Sequence, residues 1–353
     1  MTSRPRVAVV AASLDILGGQ GVQASRLVDA LTRDGYAVTF IPINPRFPPG
    51  IRRLYDIRYL RTSINQMLYV PSLARLASVD VVHVFSASYW SFLLAPVPAM
   101  AVARSLNKRV VLHYHSGEAD DHLSNWGSLV HPWLRLAHEI VVPSEYLRGV
   151  FARHGYRVRV IQNVVDLSRF GYRERLPLRP RFLSTRNLEP GYRVDVVLEA
   201  FARVKAAVPA ATLMIAGYGS EEGRLRRLAG TLEGDSVRFV GRIEPERMPA
   251  VYADADVFVN ASVVDNQPVS IIEALSAGLP VVSTPTGDIR FMLRDGTAGV
   301  LVPPDSPPAM ADALLGLFRN PDRARRLVLR ARREAARYTW PAVRDRWAEA
   351  YAC

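Results

Sequence analysis

Val257-Phe-Val-Asn260, followed by Ser262-Val-Val-Asp265-Asn266-Gln267-Pro268-Val269-Ser270-Ile-Ile-Glu273-Ala274-Leu275-Ser276-Ala277-Gly278-Leu279-Pro280-Val281-Val282-Ser283, is the stretch on which the fold turns. An unbroken apolar run leads into a polar loop. A helical pattern follows, opened by a serine or a close neighbour and closed by Gly278, and a second apolar run begins at once. Strand, helix and strand, with strands apolar throughout, describe one βαβ unit of a parallel sheet covered on both faces. Glu273 stands inside the helical pattern among aliphatic neighbours. A charge in such company is costly to bury, so it needs partners. Ribose hydroxyls would satisfy it; an internal ion pair with an arginine is the competing use and suits the surroundings less.

The same alternation runs outward in both directions. Upstream, Val7–Ala11, Ala37–Ile43, Val79–Val84, Arg109–His113, Glu139–Val142 and Arg157–Ile161 read as strands, with amphipathic stretches such as Gln23–Arg33 between several of them. A second set follows at Arg181–Thr185, Thr212–Ala216, Ser236–Val240, Val257–Asn260, Pro280–Ser283 and Gly299–Val302. Helices fit at Asp195–Val208, Ser220–Gly230, Glu246–Ala253, Ser270–Ala277 and Pro308–Arg319. Two successive sets predict two doubly wound α/β domains, 1–170 and 171–337, which suits a chain of 353 residues. The aperiodic, Arg- and Pro-rich segment Asp166–Arg181 reads as the linker. The terminal stretch 338–353 carries Trp340, Trp347 and Tyr351 and reads as a helix. It is expected to pack back on the first domain; a cap on the second is the other reading.

Composition narrows the class. Hydrophobic residues make up 49% and charged residues 22%, the balance of a globular chain. The only cysteine, Cys353, excludes an internal disulfide and a cysteine-built zinc site, and fits a reducing compartment. Net charge is +12, of which +8 falls in residues 1–170. The bias points to an anionic partner or to a mere compositional habit. Arg4 and Arg6 before Val7–Leu14 imitate a signal peptide, but Asp15 and a glycine cluster interrupt it. Phe92–Ala103 contains two prolines and is too short to span a bilayer.

Gly19-Gln20-Gly21-Val22-Gln23-Ala24 satisfies the pattern G-x-G-x-x-A. In a dinucleotide fingerprint the first glycine follows the strand directly, and an acidic residue stands about 20 residues on. Here Ala12–Gly18 intervenes, and Asn44 holds the acid's place, so nicotinamide binding is disfavoured. Gly18, Gly19 and Gly21 still precede a helix, where backbone N–H groups can approach a diphosphate. A tight turn without a ligand explains them equally.

Taken together, Asp265 and Glu273, eight residues apart, resemble the E-x7-E signature of the retaining glycosyltransferases of family 4, which have the GT-B fold. Other landmarks match in order: the glycine loop Gly18-Gly19-Gln20-Gly21, Pro143-Ser144-Glu145-Tyr146-Leu147, and Gln162-Asn163-Val164-Val165-Asp166. Ser184-Thr185-Arg186-Asn187-Leu188-Glu189-Pro190, Phe239-Val240-Gly241-Arg242-Ile243 and Thr286-Gly287-Asp288 complete the series, so the resemblance covers nearly the whole chain.

The resemblance implies two Rossmann-like domains facing a central cleft, and roles for particular residues. Glu273 would hold the donor ribose, and Asp265 the hydroxyls of the transferred sugar. The N–H groups of Asn266, Gln267, Val269 and Ser270 would bind sugar and phosphate oxygens, with Pro268 shaping the loop. Gly241, Arg242 and Ile243 would line the base pocket. Arg186 would grip the diphosphate through its guanidinium fork, and His115, after a strand end, would point at the donor sugar. Two departures stand out. Asp265 is shorter than the family's usual glutamate. Where the family has a lysine aimed at the diphosphate, this chain has Tyr192 with Arg193 beside it. Either Arg193 substitutes, or Arg186 and the glycine loop carry the charge alone.

The implied reaction is transfer of a sugar from a UDP- or GDP-sugar to a glycan, lipid-linked or small-molecule acceptor. It would be a front-face displacement with retention, needing neither a side-chain nucleophile nor a metal. No metal-ligand cluster of sensible spacing is present, and no cofactor is expected beyond the donor substrate. Basic and aromatic residues mix in Arg46–Arg61, a pattern suited either to an anionic membrane surface or to a solvated helix. No nucleic-acid motif accompanies it. A cytoplasmic enzyme is expected, with a peripheral position at the inner membrane face as an option. The competing functions are a nucleotide-sugar epimerase, for which Glu118, Asp120 and Asp121 supply carboxylates, and a non-catalytic sugar-nucleotide-binding scaffold.

Overall fold

A computed structural model describes residues 4–13, 19–48, 50, 57–232 and 235–352. The chain divides into two compact units, 1–164 with 343–353, and 165–342.

The first unit is built on a six-stranded sheet in the order β2-β1-β3-β4-β5-β6, parallel throughout. Its strands are β1 (Val7–Ala11), β2 (Val38–Pro42), β3 (Val81–Ser86), β4 (Arg109–Tyr114), β5 (Glu139–Val142) and β6 (Arg159–Val160). β1 and β3 are buried along their whole length, as strands covered on both faces must be. The apolar run Phe92–Ala103 is divided between helices Trp90–Leu94 and Pro96–Ser105, which bury Phe92, Ala99, Met100 and Ala103 in the core. Among the described residues no helix is long and apolar enough to cross a membrane.

The second unit repeats the scheme. β7 (Arg181–Ser184), β8 (Thr212–Ala216), β9 (Val237–Gly241), β10 (Val257–Asn260), β11 (Val281–Ser283) and β12 (Val300–Leu301) form a parallel sheet in the order β12-β11-β10-β7-β8-β9. The sequence-read strands agree with these spans to within two residues at either end. The order reverses between β7 and β10, the arrangement of a Rossmann-like sheet. The helix Val269–Ala277 between β10 and β11 ends on Gly278 at φ 79, the left-handed cap its glycine predicts.

Segment 166–181, read as a linker, is bound to the second unit. Asp256 lies fully buried between β10 and the preceding helix. It accepts bonds from the Arg179 backbone N–H at 2.7 Å and from the Arg179 guanidinium at 2.8 and 2.9 Å, and it pairs with Arg173. Arg175, itself buried, donates to the carbonyls of Ala255 and Tyr252. Burial acts to raise the Asp256 pKa, but the bonds from Arg179 and Arg173 prevail and hold it low. The arginines that mark the segment in the sequence are its anchors.

Candidate active site

In the second unit the expected residues gather at the carboxyl ends of the strands, where open α/β sheets bind ligands. Thr185-Arg186 follows β7, Gly217-Tyr218-Gly219 follows β8, Arg242-Ile243 follows β9, Ser262–Asp265 follows β10, and Thr284–Asp288 follows β11. Arg186 and Asp265 therefore flank the point where the strand order reverses. Their side chains form an ion pair and are 10% and 11% exposed. Arg186 Nη1 also donates to Ser270 Oγ at 3.3 Å, and its guanidinium lies over the Tyr192 ring at 4.3 Å. Among the described residues Arg186 Nε, which is buried, has no hydrogen-bond partner. Tyr192, in the place of the family's lysine, thus packs a face against the arginine. Arg193 sits at φ 47, with its guanidinium paired to Asp195 at 3.2 Å and to Asp305.

Asp265 is held from several sides. It accepts from Ser262 Oγ at 3.1 Å and from the Asn266 N–H at 3.0 Å. Thr284 and Thr286 both donate to the Ser262 carbonyl at 2.6 Å. Gln267 donates to Asp288 Oδ2 at 2.9 Å, and the Asp288 N–H to the Asn266 carbonyl at 2.8 Å. Gly287 makes this strapping possible: it sits at φ 57, and a Cβ there would lie 2.4 Å from the Asp265 carbonyl. Gly217 has a similar task, since its Cβ would come within 2.0 Å of the Arg186 carbonyl. The Ala216-Gly217-Tyr218-Gly219 turn was passed over in the sequence, although glycines directly after an apolar strand are the signal for a close approach.

The helix Val269–Ala277 has Pro268 as its N-cap, with no side-chain bond to its first turn. The helix start thus falls on a neighbour of Ser270, whose hydroxyl accepts from Arg186. The first-turn N–H groups of Val269 and Ser270 therefore lack a side-chain cap, as suits an anion-receiving end. Glu273 is 8% exposed and lies beside the hydroxyl of the fully buried Tyr252. That hydroxyl bonds Thr185 Oγ1 at 3.0 Å and the Ser270 carbonyl at 3.1 Å; burial, with the Glu273 carboxylate next, drives its pKa far up. Tyr252 carries no motif, so its role is legible only in space. Gly241, at φ 68, accepts the Gly217 N–H at 2.9 Å, and the exposed Arg242 lies 5.9 Å from the Tyr218 ring. Ile243 is half-buried beside it.

In the first unit Gly18 lies outside the described residues, as do residues 14–17. Gly19 and Gly21 open the helix Gly19–Arg33, and Gln20 Nε2 donates to the Ser86 carbonyl at 3.2 Å. Asn44, at the position a dinucleotide enzyme reserves for an acid, accepts the Ser13 N–H at 2.7 Å. His115 follows β4 directly and its N–H donates to the Ser86 carbonyl at 3.1 Å. Its ring stacks on Phe85 at 5.1 Å and lies 4.0 Å from the His113 ring, and burial pushes its pKa down to about 3. His113 is a buried strand residue, as its place in the apolar run implies. Its Nδ1 meets His83 Nε2 at 3.1 Å, and His83 Nδ1 meets Tyr351 Oη at 2.7 Å. This file of rings, invisible in the sequence because its members lie on three elements, keeps His115 neutral and fixed. Of Arg46–Arg61, residues 49 and 51–56 lie outside the described residues; Tyr59 is 83% exposed.

A cavity lined by Arg181, Thr212, Asp235 and Asp254 opens at the amino ends of β7–β9, away from all these groups. Among the described residues no set of three or more His, Cys, Asp or Glu is arranged to hold a metal ion.

Two Rossmann-like units, each built on a six-stranded parallel sheet, make up the fold of the GT-B class of glycosyltransferases, and in the second an arginine, an acid and a helix start gather at the switch point. Residues 17–169 match the family profile "Glycosyltransferase Family 4", and residues 179–320 match "Glycosyl transferases group 1". The chain belongs to the group 1, family 4 glycosyltransferases, and transfers sugar from a nucleotide sugar. Among its relatives is the phosphatidyl-myo-inositol mannosyltransferase of Mycobacterium leprae, 29% identical over 94% of this chain and 92% of the relative. The protein of the same name from Mycolicibacterium smegmatis is 26% identical over 94% and 89%. Among solved structures, Anabaena HepE in complex with UDP superposes with a TM-score of 0.76 at 18% identity, covering 98% of both chains. Sucrose-phosphate synthase from Thermosynechococcus elongatus gives 0.77 at 21%, covering 99% and 98%; both likenesses concern the fold.

Proposed function

We propose that the chain is a retaining hexosyltransferase that moves a hexose from a UDP- or GDP-sugar to a membrane-borne or polyol-containing acceptor. The observation that carries this reading is the Arg186–Asp265 ion pair at the switch point, beside Ser270 and the uncapped helix start. The donor's two ends answer its two charges. A diphosphate takes the guanidinium, sugar hydroxyls take the carboxylate, and the pair keeps both groups oriented until then. As the anomeric bond breaks, negative charge grows on the leaving phosphate. Arg186 and the first-turn amides of Val269 and Ser270 face that charge without reorganising. Arg193 is committed to Asp195 and Asp305, which favours Arg186 as the diphosphate's cation. Glu273, steadied by Tyr252, takes the ribose. His115, neutral, can donate to or accept from a sugar hydroxyl.

The mannosyltransferase relatives are named for a phosphatidyl-inositol acceptor. In this chain the helix Arg58–Ser72 leaves Tyr59, Leu60, Met67 and Val70 exposed on one stretch, in the more basic unit. That surface fits peripheral contact with an anionic bilayer.

The test is thermal stabilisation by UDP- and GDP-sugars of the native protein and of Glu273→Gln. A donor at about 100 times its dissociation constant adds about 2.7 kcal/mol, and the variant should lose most of that shift. If no nucleotide sugar stabilises the native protein, the donor-site reading fails; donor binding without turnover on any acceptor would leave a binding scaffold instead. An epimer formed without acceptor would replace transfer by epimerisation.

A further inference from the structure

The chain leaves β3 at Ser86 and turns through Tyr89, whose backbone sits at φ 58, ψ −133. A bulky residue in that region is strained and persists only where its surroundings hold it. Here they do. Tyr89 Oη donates to Asp121 Oδ2 at 2.7 Å, and Asn125 Nδ2 to Asp121 Oδ1 at 2.6 Å. The Tyr89 ring packs edge-on against His122 at 5.2 Å and against Trp126 at 5.6 Å. Beneath it, Tyr114 Oη meets Ser88 Oγ and His122 Nδ1, both at 2.8 Å.

The consequence of this turn is that Trp90 faces out of the fold. Its indole is 65% exposed and meets Trp126 edge to face at 5.4 Å and 88°. An edge-to-face contact leaves a ring face uncovered, and a large exposed aromatic carried on a locked frame is a contact surface in search of an occupant. The charged groups that act on the Tyr89 hydroxyl, Glu118 and Asp121, are acidic, which repels an anionic bilayer. Their chemistry suits an occupant with hydroxyl donors and an apolar ring face. Asp121 has lone pairs left after its bonds to Tyr89 and Asn125, and the Tyr89 oxygen can still accept. The cluster lies at the carboxyl ends of β3 and β4, the ligand-binding edge of such a sheet and the edge from which His115 projects.

We propose that Tyr89, Trp90, Trp126 and Asp121 form a carbohydrate-binding subsite that receives the acceptor, a sugar or cyclitol ring. The ring lays its C–H face on the Trp90 indole and gives hydroxyl hydrogen bonds to Asp121. Calling the occupant the acceptor rests on the transferase reading; binding of the ring does not.

Saturation-transfer NMR with methyl α-mannoside, myo-inositol and maltotriose, on the native protein and on Trp90→Ala and Trp90→Phe, decides the matter. Trp90 is exposed, so both variants should fold as the native chain does. At least one probe should contact the native protein, with affinity falling roughly tenfold in Trp90→Ala and less in Trp90→Phe. Nucleotide-sugar stabilisation, measured alongside, should be the same in all three. The subsite is overturned if no probe contacts the native protein, or if contact survives Trp90→Ala unchanged. It is equally overturned if Trp90 governs flotation with phosphatidylcholine–phosphatidylglycerol vesicles and no saccharide contact. Saccharide contact without any nucleotide-sugar stabilisation would keep the subsite and remove the transferase reading.

Discussion

Arg186 is asked to do two things that pull in different directions. It neutralises Asp265, and on the proposed reading it would also face the donor's diphosphate. A pair only about a tenth exposed on either side is costly to break by deleting one partner, because the other charge stays behind. Arg186→Ala should therefore lower kcat by roughly 10²–10³-fold, as initial-rate assays at saturating donor would show. Arg186→Lys should recover little of it, since an ammonium cannot span Asp265 and a phosphate with a planar fork. Asp265→Glu, which restores the family's usual length, should change the ranking of donor sugars in a competition assay while leaving the ribose contact at Glu273 untouched. A ranking identical to that of the native chain would remove Asp265 from sugar selection. At this scale the sequence was informative where a residue belongs to a motif and silent where its partner is remote. Asp265 and Glu273 draw attention by their spacing, and Arg186 through the family resemblance. That Arg193 is bound to Asp305, more than a hundred residues on, and that Tyr252 stands beside Glu273, are facts of three dimensions.

Elements were legible where the apolar pattern is dense and obscured where arginine dilutes it. Strands such as β1, β10 and β11 stand out because burial along their whole length favours apolar residues. The helix Pro321–Ala335 was missed: it carries six arginines, yet Ala324, Leu327, Val328, Ala331 and Ala335 form a buried stripe at helical spacing. Segment 166–181 shows only an aperiodic, Arg- and Pro-rich run in the sequence, and three of its arginines converge on Asp256. The consequence is a measurable weakness. Asp256→Ala leaves Arg175, whose side chain is 1% exposed, without its counter-charge. Removing one partner of such a buried network costs about 3–5 kcal/mol, which should appear as a lowered midpoint in denaturant unfolding. Arg179→Ala, at a half-exposed partner, should cost less. Equal losses in the two variants would show that the cluster does not act through buried charge.

At the scale of the whole molecule, the two units should differ in their response to acid. All seven histidines lie in residues 83–154, within the first unit. Burial, with His115 adding to it, pushes His83 down to about 3, and burial with its histidine neighbours takes His113 well below the ordinary value. Burial alone brings His115 to about 3, and it carries His122 to about 4 against an opposing pull from Asp121. In the unfolded chain each would titrate near 6.5. Between these limits the unfolded first unit binds more protons than the folded one, so its stability is complete above about pH 6.5 and drains away as pH falls toward 4. The second unit has no histidine. Its depressed carboxylates, Asp256 and Glu334, lend stability that is present above their unfolded pKa and disappears only below about pH 4. A window between about pH 6 and pH 4.5 follows in which only the first unit weakens. Tryptophan emission can follow it, since Trp90, Trp126, Trp133 and Trp347 belong to that unit, and Trp347 packs on His83 and His113 at 4.9 and 5.0 Å. The emission change should begin in this window at constant temperature, and nucleotide-sugar stabilisation, whose proposed phosphate and ribose contacts lie in the second unit, should outlast it in part. His83→Phe, which keeps a ring in the file but removes a titrating group, should shift the onset to lower pH. An onset that does not move in that variant would mean that His83 is not among the groups whose protonation opens the first unit.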